Sequence, residues 1–220
     1  MRTEEPQYEE FKNFFKNHSL QQLGLMTSWG WFDDPKRLAF TTSRYKFVSK
    51  MLSDKNKVLE IGCGDGFGSR IVAQTSKEVL AIDMDETLLE SAKKTSHFKD
   101  YNVKFYKHNI LEKPFNIKCN AAYSLDVLEH IPKKLEDDFI LNIKNSLMDN
   151  SPLIIGCPSL ESQEYASKLS KEGHVNCKTQ PDLVKLLQKY YNNCFAFSMN
   201  DEVVHTGFSK MSNYNIILCT

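Results

Sequence analysis

Asp126, Glu129 and His130 stand at i, i+3 and i+4 within LDVLEHIP (125–132). On a helical turn this spacing puts the three side chains on one face. Two carboxylates and an imidazole suit Mg²⁺, Mn²⁺ or Fe²⁺, which would lower the pKa of a hydroxyl or clamp a phosphate. Without a metal, His130 could act as a general base for a hydroxyl proton. The bland alternative is that Glu129-His130 caps a helix and orders the loop beside it. His174 in GHVN is the natural extra metal ligand, and His174 and His205 are further candidate bases. His18, His97 and His108 are assigned no chemistry, and Gln163 and Tyr165 read equally as pocket lining or helix surface.

These residues need a scaffold, and the stretch Lys57–Arg70, KVLEIGCGDGFGSR, supplies its centre. An apolar run (Val58, Leu59, Ile61) leads into glycines at 62, 64, 66 and 68, and apolar spacing resumes at Ile71 and Val72. That is a strand, a tight turn and a helix start, the layout of a nucleotide-binding βα unit. Glu60 beside the turn would repel a pyrophosphate but suits a cationic amine or neutral hydroxyls, which favours S-adenosylmethionine over a dinucleotide. A second apolar strand, VLAID, ends in Asp83 roughly twenty residues beyond the turn, where an acid accepts from ribose hydroxyls. Met84 is placed to lie on an adenine face or to pack in the core. Asn109, after a third strand at 103–107, has the donors and acceptor to bond the adenine amine.

A fourth strand (120–125) runs into the Asp126 cluster, and Pro132 opens the helix carrying Leu135, Phe139, Ile140, Ile143 and Leu147. A fifth strand spans 151–156, a polar helical stretch spans 158–189, and two strands follow at 194–199 and 214–219. The sheet ends that face the ligand in such a fold are the carboxyl ends. The loops there carry Asp126, Glu129, His130, the GHVN segment, Asp201, Glu202 and His205. Residues 1–25 form a helix-prone arm with Phe11, Phe14, Phe15 and Leu20 available for packing. Trp29, Trp31 and Phe32 either anchor that arm or form a lid. Arg37 and Arg44 either meet a ligand carboxylate or lie on a helix surface.

The chain has 220 residues with 28 Lys+Arg and 28 Asp+Glu, a length suited to one α/β domain and a balance that disfavours a nucleic-acid partner. The six cysteines show no CxxC pair and read as free thiols in a reducing cytosol. A charged N-terminus and the lack of a long apolar run predict a cytoplasmic protein with no signal peptide and no membrane span. Oligomeric state is left open, a homodimer included.

The ordered segments VLEIGCGDGFGS (58–69), VLAIDMDE (79–86), HNI (108–110), AAYSLDVLEHIP (121–132) and LIIGCPS (153–159) resemble the class I S-adenosylmethionine-dependent methyltransferases. The resemblance implies an α/β, Rossmann-like three-layer sandwich. Its seven-stranded, mostly parallel sheet runs 3-2-1-4-5-7-6, with strand seven antiparallel. A single domain, 1–220, is expected, with 1–45 as arm or lid and 46–220 as core. The resemblance also implies S-adenosylmethionine contacts: Glu60, Gly62 and Gly64 at the methionine end, Asp83 at the ribose, Met84 and Asn109 at the adenine, Ile110 beside it, and the Leu125 backbone near the sulfonium. Asp126, Glu129 and His130 resemble the acidic-x-x-Glu-His metal site of some O-methyltransferases acting on ubiquinone precursors and small RNAs. Similar Glu-His pairs also occur in metal-free relatives. The runs SRYKFVSKML (43–52), GHVNC (173–177) and NDEVVHTGF (200–208) look like bacterial methyltransferases found with capsule or surface-polysaccharide genes. Some of those are associated with O-methyl phosphoramidate or O-methyl sugar decorations. The implied activity is methyl transfer to an oxygen of a small polar acceptor. An N-methyltransferase or a catalytically silent S-adenosylmethionine-binding partner are the alternatives.

Overall fold

The computed structural model describes residues 5–95 and 101–220. His97 and the end of the helix expected over 86–97 lie outside the described residues. Three N-terminal helices, α1 (Glu9–Lys16), α2 (Leu25–Asp33) and α3 (Lys36–Met51), precede the sheet. The chain then runs β1 (Val58–Ile61), α4 (Ser69–Ala73), β2 (Val79–Asp83), α5 (Glu86–Lys94), β3 (Val103–Lys107) and β4 (Ala121–Leu125). It continues through α6 (Glu136–Asn145), β5 (Leu153–Pro158), α7 (Lys168–Gly173), α8 (Gln180–Leu187), β6 (Cys194–Asn200), β7 (Val203–His205) and β8 (Tyr214–Cys219).

The strands form one sheet in the order β3-β2-β1-β4-β5-β8-β6-β7. The first five pair in parallel, and β8 enters antiparallel between β5 and β6. The expected order is present, with one strand added: the three-residue β7 folds back on β6 at the sheet edge. The segment expected as the seventh strand is therefore the eighth.

β1 and β4 are buried along their whole length, because helices cover both faces of the parallel sheet. Alternation then splits the core in two. Leu59, Ile61, Leu80, Ile82 and Leu153 pack with Phe139, Ile140 and Ile143 of α6 and Leu183 and Leu187 of α8. Val58, Val79, Ala121 and Tyr123 pack on the other face with Tyr45, Val48, Val72 and Leu89 of α3, α4 and α5. The same alternation puts Glu60, in register with Tyr123, on the α3 face of the core.

Two local expectations change. Pro132 does not open the long helix: short 3-10 turns occupy Leu128–His130 and Lys133–Leu135, and α6 begins at Glu136. The aromatic face of the N-terminal arm does not bury itself, since Phe11, Phe14, Phe15 and Leu20 stay exposed. All six cysteines are free thiols. Among the described residues no helix is long and apolar enough to cross a membrane.

Candidate active site

At the carboxyl ends of β1 and β4 lies a cavity of about 480 Å³. Gly62, Cys63, Gly64, Asp65, Phe67 and Gly68 form its floor, Leu125 and Asp126 one wall, and Met26, Thr27, Trp29 and Gly30 of α2 its cover. The turn needs glycine for a stated reason. Gly62 and Gly64 have φ of 76° and 54°, and a Cβ on Gly62 would stand 2.3 Å from the Val127 side chain. The backbone is thus open to close approach by a ligand.

Asp83 braces this turn from the neighbouring strand. Its Oδ2 accepts from the Gly64 N–H at 2.8 Å and its Oδ1 from the Asp85 N–H at 2.9 Å. A carboxylate has about four lone-pair sites, so capacity remains for ribose hydroxyls. The following loop is tied in alongside, with His108 N–H donating to the Asp83 carbonyl at 2.9 Å. Met84 is exposed and Ile110 buried. Asn109 spends its amide locally, accepting from Leu111 N–H at 3.1 Å and donating to Glu112 at 3.1 Å.

Of the cofactor residues expected from sequence, Gly62, Gly64 and Leu125 line the cavity, whereas Glu60, Asp83, Met84, Asn109 and Ile110 do not. Glu60 lies behind the turn, 1% exposed, where its Oε1 accepts from the Tyr45 hydroxyl at 3.1 Å. Its Oε2 and the Ser69 and Tyr123 hydroxyls fall outside hydrogen-bond geometry, yet the two hydroxyls lie near enough to the carboxyl to offset part of the effect of burial. Burial pushes the Glu60 carboxyl up to about 7.

Asp65, a residue the sequence did not single out, fastens the cover. Its Oδ2 accepts from Thr27 N–H at 2.8 Å and its Oδ1 from the Thr27 hydroxyl at 3.1 Å. Only its place inside the glycine run hinted at this. Thr27→Val removes one charge-assisted bond, with an expected cost of about 1–2 kcal/mol to the docking of α2. Hydrogen exchange checks this: amides of 25–33 should exchange faster while those of β1 and β4 do not, and unchanged α2 protection would show that Asp65 is not the tether.

The acidic and histidine cluster divides into two groups. Asp126 has φ 57°, which takes it off the turn that follows. Both its oxygens accept from Arg44 Nη1, at 2.8 and 2.9 Å, and the Arg44 guanidinium lies 3.8 Å over the Tyr214 ring. Glu129, His130 and His174 converge instead, each presenting a ligand atom within 4.8 Å of the others. His130 and Glu129 come from the turn after β4, and His174 from the end of α7.

Hydrogen bonds fix both imidazoles. His130 Nδ1 lies 2.9 Å from the Gly173 carbonyl, which can only accept, so Nδ1 carries the proton and Nε2 keeps its lone pair. His174 Nδ1 lies 2.8 Å from Gln163 Oε1, and Gln163 Nε2 donates to the Ser159 carbonyl at 3.2 Å, which settles the amide orientation. Nε2 of His174 is again left free. Burial and the neighbouring His130 hold the His174 pKa below its ordinary value. Glu129 is 1% exposed, and its Oε2 has no partner. Burial, aided by repulsion from Asp126, pushes its pKa well above the carboxylate range. A desolvated, unpartnered carboxylate oxygen with two nitrogen lone pairs is a donor set that fits a divalent cation.

His205 stands apart. Its Nε2 bonds Asn200 Oδ1 at 2.7 Å, its Nδ1 accepts from Gly207 N–H at 2.9 Å, and it does not line the cavity. Arg37 does line the cavity and pairs with Asp33 at 3.0 Å.

A solved structure of the N-methyltransferase NodS from Bradyrhizobium japonicum in complex with S-adenosyl-L-homocysteine superimposes with a TM-score of 0.64, covering 98% of both chains at 16% identity. This is a methyltransferase fold. The sequence model of the family described as "Methyltransferase domain" matches residues 58–150 of it, from β1 to the loop before β5. Curated relatives include ubiquinone biosynthesis O-methyltransferases. That of Xylella fastidiosa is 27% identical over 134 residues, 57% of this chain and 53% of the relative. That of Rickettsia canadensis is 31% identical over 129 residues, 56% of this chain and 50% of the relative. The chain thus spans about half the length of the curated relatives it matches. Both O- and N-methyltransferases are thus among the proteins this chain is similar to.

Proposed function

We propose that the protein transfers a methyl from S-adenosylmethionine to an oxygen of a small polar acceptor, assisted by a divalent cation at Glu129, His130 and His174. The carrying observation is the convergence of these three side chains beside the wall of the glycine-turn cavity. A silent cofactor-binding partner has no use for an unpartnered buried carboxylate facing two oriented imidazoles.

The donor's leaving group is already activated by the positive sulfonium, so the protein's task is to position the nucleophile, exclude water and deal with a proton. The Gly62–Gly68 backbone lets the donor lie close to the turn. Asp83 accepts from the ribose, and Arg37, which lines the cavity, answers the methionine carboxylate. The α2 segment, held by Asp65, lines the outer side of the cavity. A cation held by Glu129, His130 and His174 would lower the pKa of an acceptor hydroxyl. If the cation is absent, His130 Nε2 is the group placed to take that proton. We place the acceptor among sugars or phosphorylated or phosphoramidate precursors of a bacterial surface polysaccharide, because two of the three resembling runs, 43–52 and 173–177, carry Arg44 and His174 into this region.

The test is a set of such acceptors with methyl-labelled S-adenosylmethionine, with the product read by carbon NMR to separate O–CH₃ from N–CH₃. Exhaustive chelation is expected to lower turnover at least about tenfold, with recovery on adding Mn²⁺ and no change in S-adenosylhomocysteine affinity. Activity that survives chelation leaves His130 as a metal-free base. An N-methylated product would reject the oxygen acceptor.

A further inference from the structure

The loop 173–178 brings His174 to the site, and a buried charged network lies beneath it. Lys178 Nζ stands 2.6 Å from Glu136 Oε2 and donates to Asn176 Oδ1 at 3.0 Å, while Asn176 Nδ2 donates to the same Glu136 oxygen at 3.1 Å. All three residues are buried, none more than 8% exposed. Removing an ion pair from water costs about as much as its attraction returns, so stability alone is a weak reason for one here.

The surrounding bonds indicate what the network does. Asn176 N–H donates to the Glu129 carbonyl at 3.0 Å, and the Gly173 carbonyl accepts from His130 at 2.9 Å. The loop is therefore stitched to both residues of the Glu129-His130 turn. Its far end is fixed as well: the Lys178 carbonyl accepts from Leu160 N–H at 3.0 Å and from Asn215 Nδ2 at 3.3 Å. Glu136 is the first residue of α6, where the helix dipole favours a carboxylate, so the anchor belongs to a rigid element.

We propose that Glu136, Asn176 and Lys178 are positioning residues that hold the 173–178 loop in one conformation and so set His174 against Glu129 and His130. The inference rests on the site assigned above, but not on whether that site holds a metal. None of the three touches the reacting groups. They act through the backbone of the loop, and the predicted consequence is a preformed site.

The test removes both charges together, Glu136→Gln with Lys178→Met, so that neither is left buried alone. Imidazole nitrogen NMR of the metal-free protein reads the His174 tautomer, and Mn²⁺ titration reads the assembled site. In the wild type His174 should be a single Nδ1–H tautomer. In the double variant that signature should give way to a mixture and Mn²⁺ affinity should fall by about 10–100-fold, with S-adenosylhomocysteine affinity retained. A folded double variant with the wild-type tautomer and wild-type Mn²⁺ affinity overturns the proposal. If the wild type binds no Mn²⁺ but the variant still loses its tautomer, the metal assignment fails and the positioning role stands. Should the double variant not fold, Asn176→Ala keeps the Glu136–Lys178 pair, removes the Asn176 bonds to Glu136 and to Lys178, and is expected to show the same two changes in smaller measure. Lys178→Arg, which keeps the pair, should retain the wild-type tautomer.

Discussion

His130→Ala is expected to lower turnover by about 10²–10⁴-fold, the range associated with a lost general base or lost metal assistance, while S-adenosylhomocysteine affinity stays close to wild type. Two features separate the effects. The cavity proposed to hold the donor is lined by the glycine turn, α2, α3, the end of β4 and Ser170 of α7, and His130 is not part of that lining. His130 is also exposed, and its side chain makes one hydrogen bond, to Gly173, so its loss should cost little stability. Glu129→Gln should show a comparable loss of turnover if a cation is bound, because it removes the charged ligand. If His130 acts alone as base, it should lose much less. Unchanged turnover in His130→Ala, with the variant folded and binding S-adenosylhomocysteine, would remove His130 from the mechanism.

That expectation was partly legible in the sequence. The i, i+3, i+4 spacing of Asp126, Glu129 and His130 suggested one shared face, and Glu129 and His130 do come together with His174, more than forty positions on. Asp126 leaves the group because its backbone is left-handed and Arg44 holds both its carboxylate oxygens. No spacing rule reports a positive φ on a non-glycine residue, and the pairing spans 82 positions of sequence. His205 was legible as a histidine near the same sheet end, but not as one with both ring nitrogens committed.

The sheet was easier to read. Strands covered on both faces appear as near-continuous apolar runs, and β1, β2, β4 and β5 have that character. β7 was missed because three residues folded back at an edge carry no alternation to detect. The N-terminal region shows the opposite limit. Its aromatic residues suggested packing or a lid, but beyond the position of Asp65 inside the glycine run nothing in the residue pattern pointed to it as the tether for Thr27.

Glu60→Gln is expected to raise stability at pH 8 by on the order of 3 kcal/mol and to leave it nearly unchanged near pH 4. The carboxyl is driven from an ordinary 4.5 up to about 7, chiefly by burial. Below the unfolded value it is protonated in both states and folding carries no electrostatic cost. Between 4.5 and 7 the unfolded chain releases a proton that the folded protein retains, so stability falls as pH rises. Above 7 the folded state must hold a buried carboxylate, and the whole contribution has been lost. Glutamine has the same shape and does not titrate. Glu129 adds a slope of the same sign, since its pKa is raised too, but it is common to both proteins and cancels in the difference. Urea unfolding of wild type and variant from pH 4 to pH 8 provides the measurement, and equal stability at pH 8 would mean that Glu60 is not desolvated as its burial indicates. The same pair of proteins also tests the cofactor contact implied for Glu60. The Tyr45 hydroxyl, from α3, donates to this carboxyl, and Tyr45, not Glu60, lines the cavity. A large loss of S-adenosylhomocysteine affinity in the variant would show that Glu60 reaches the methionine end directly; a small one assigns it to the support of Tyr45 and the glycine turn.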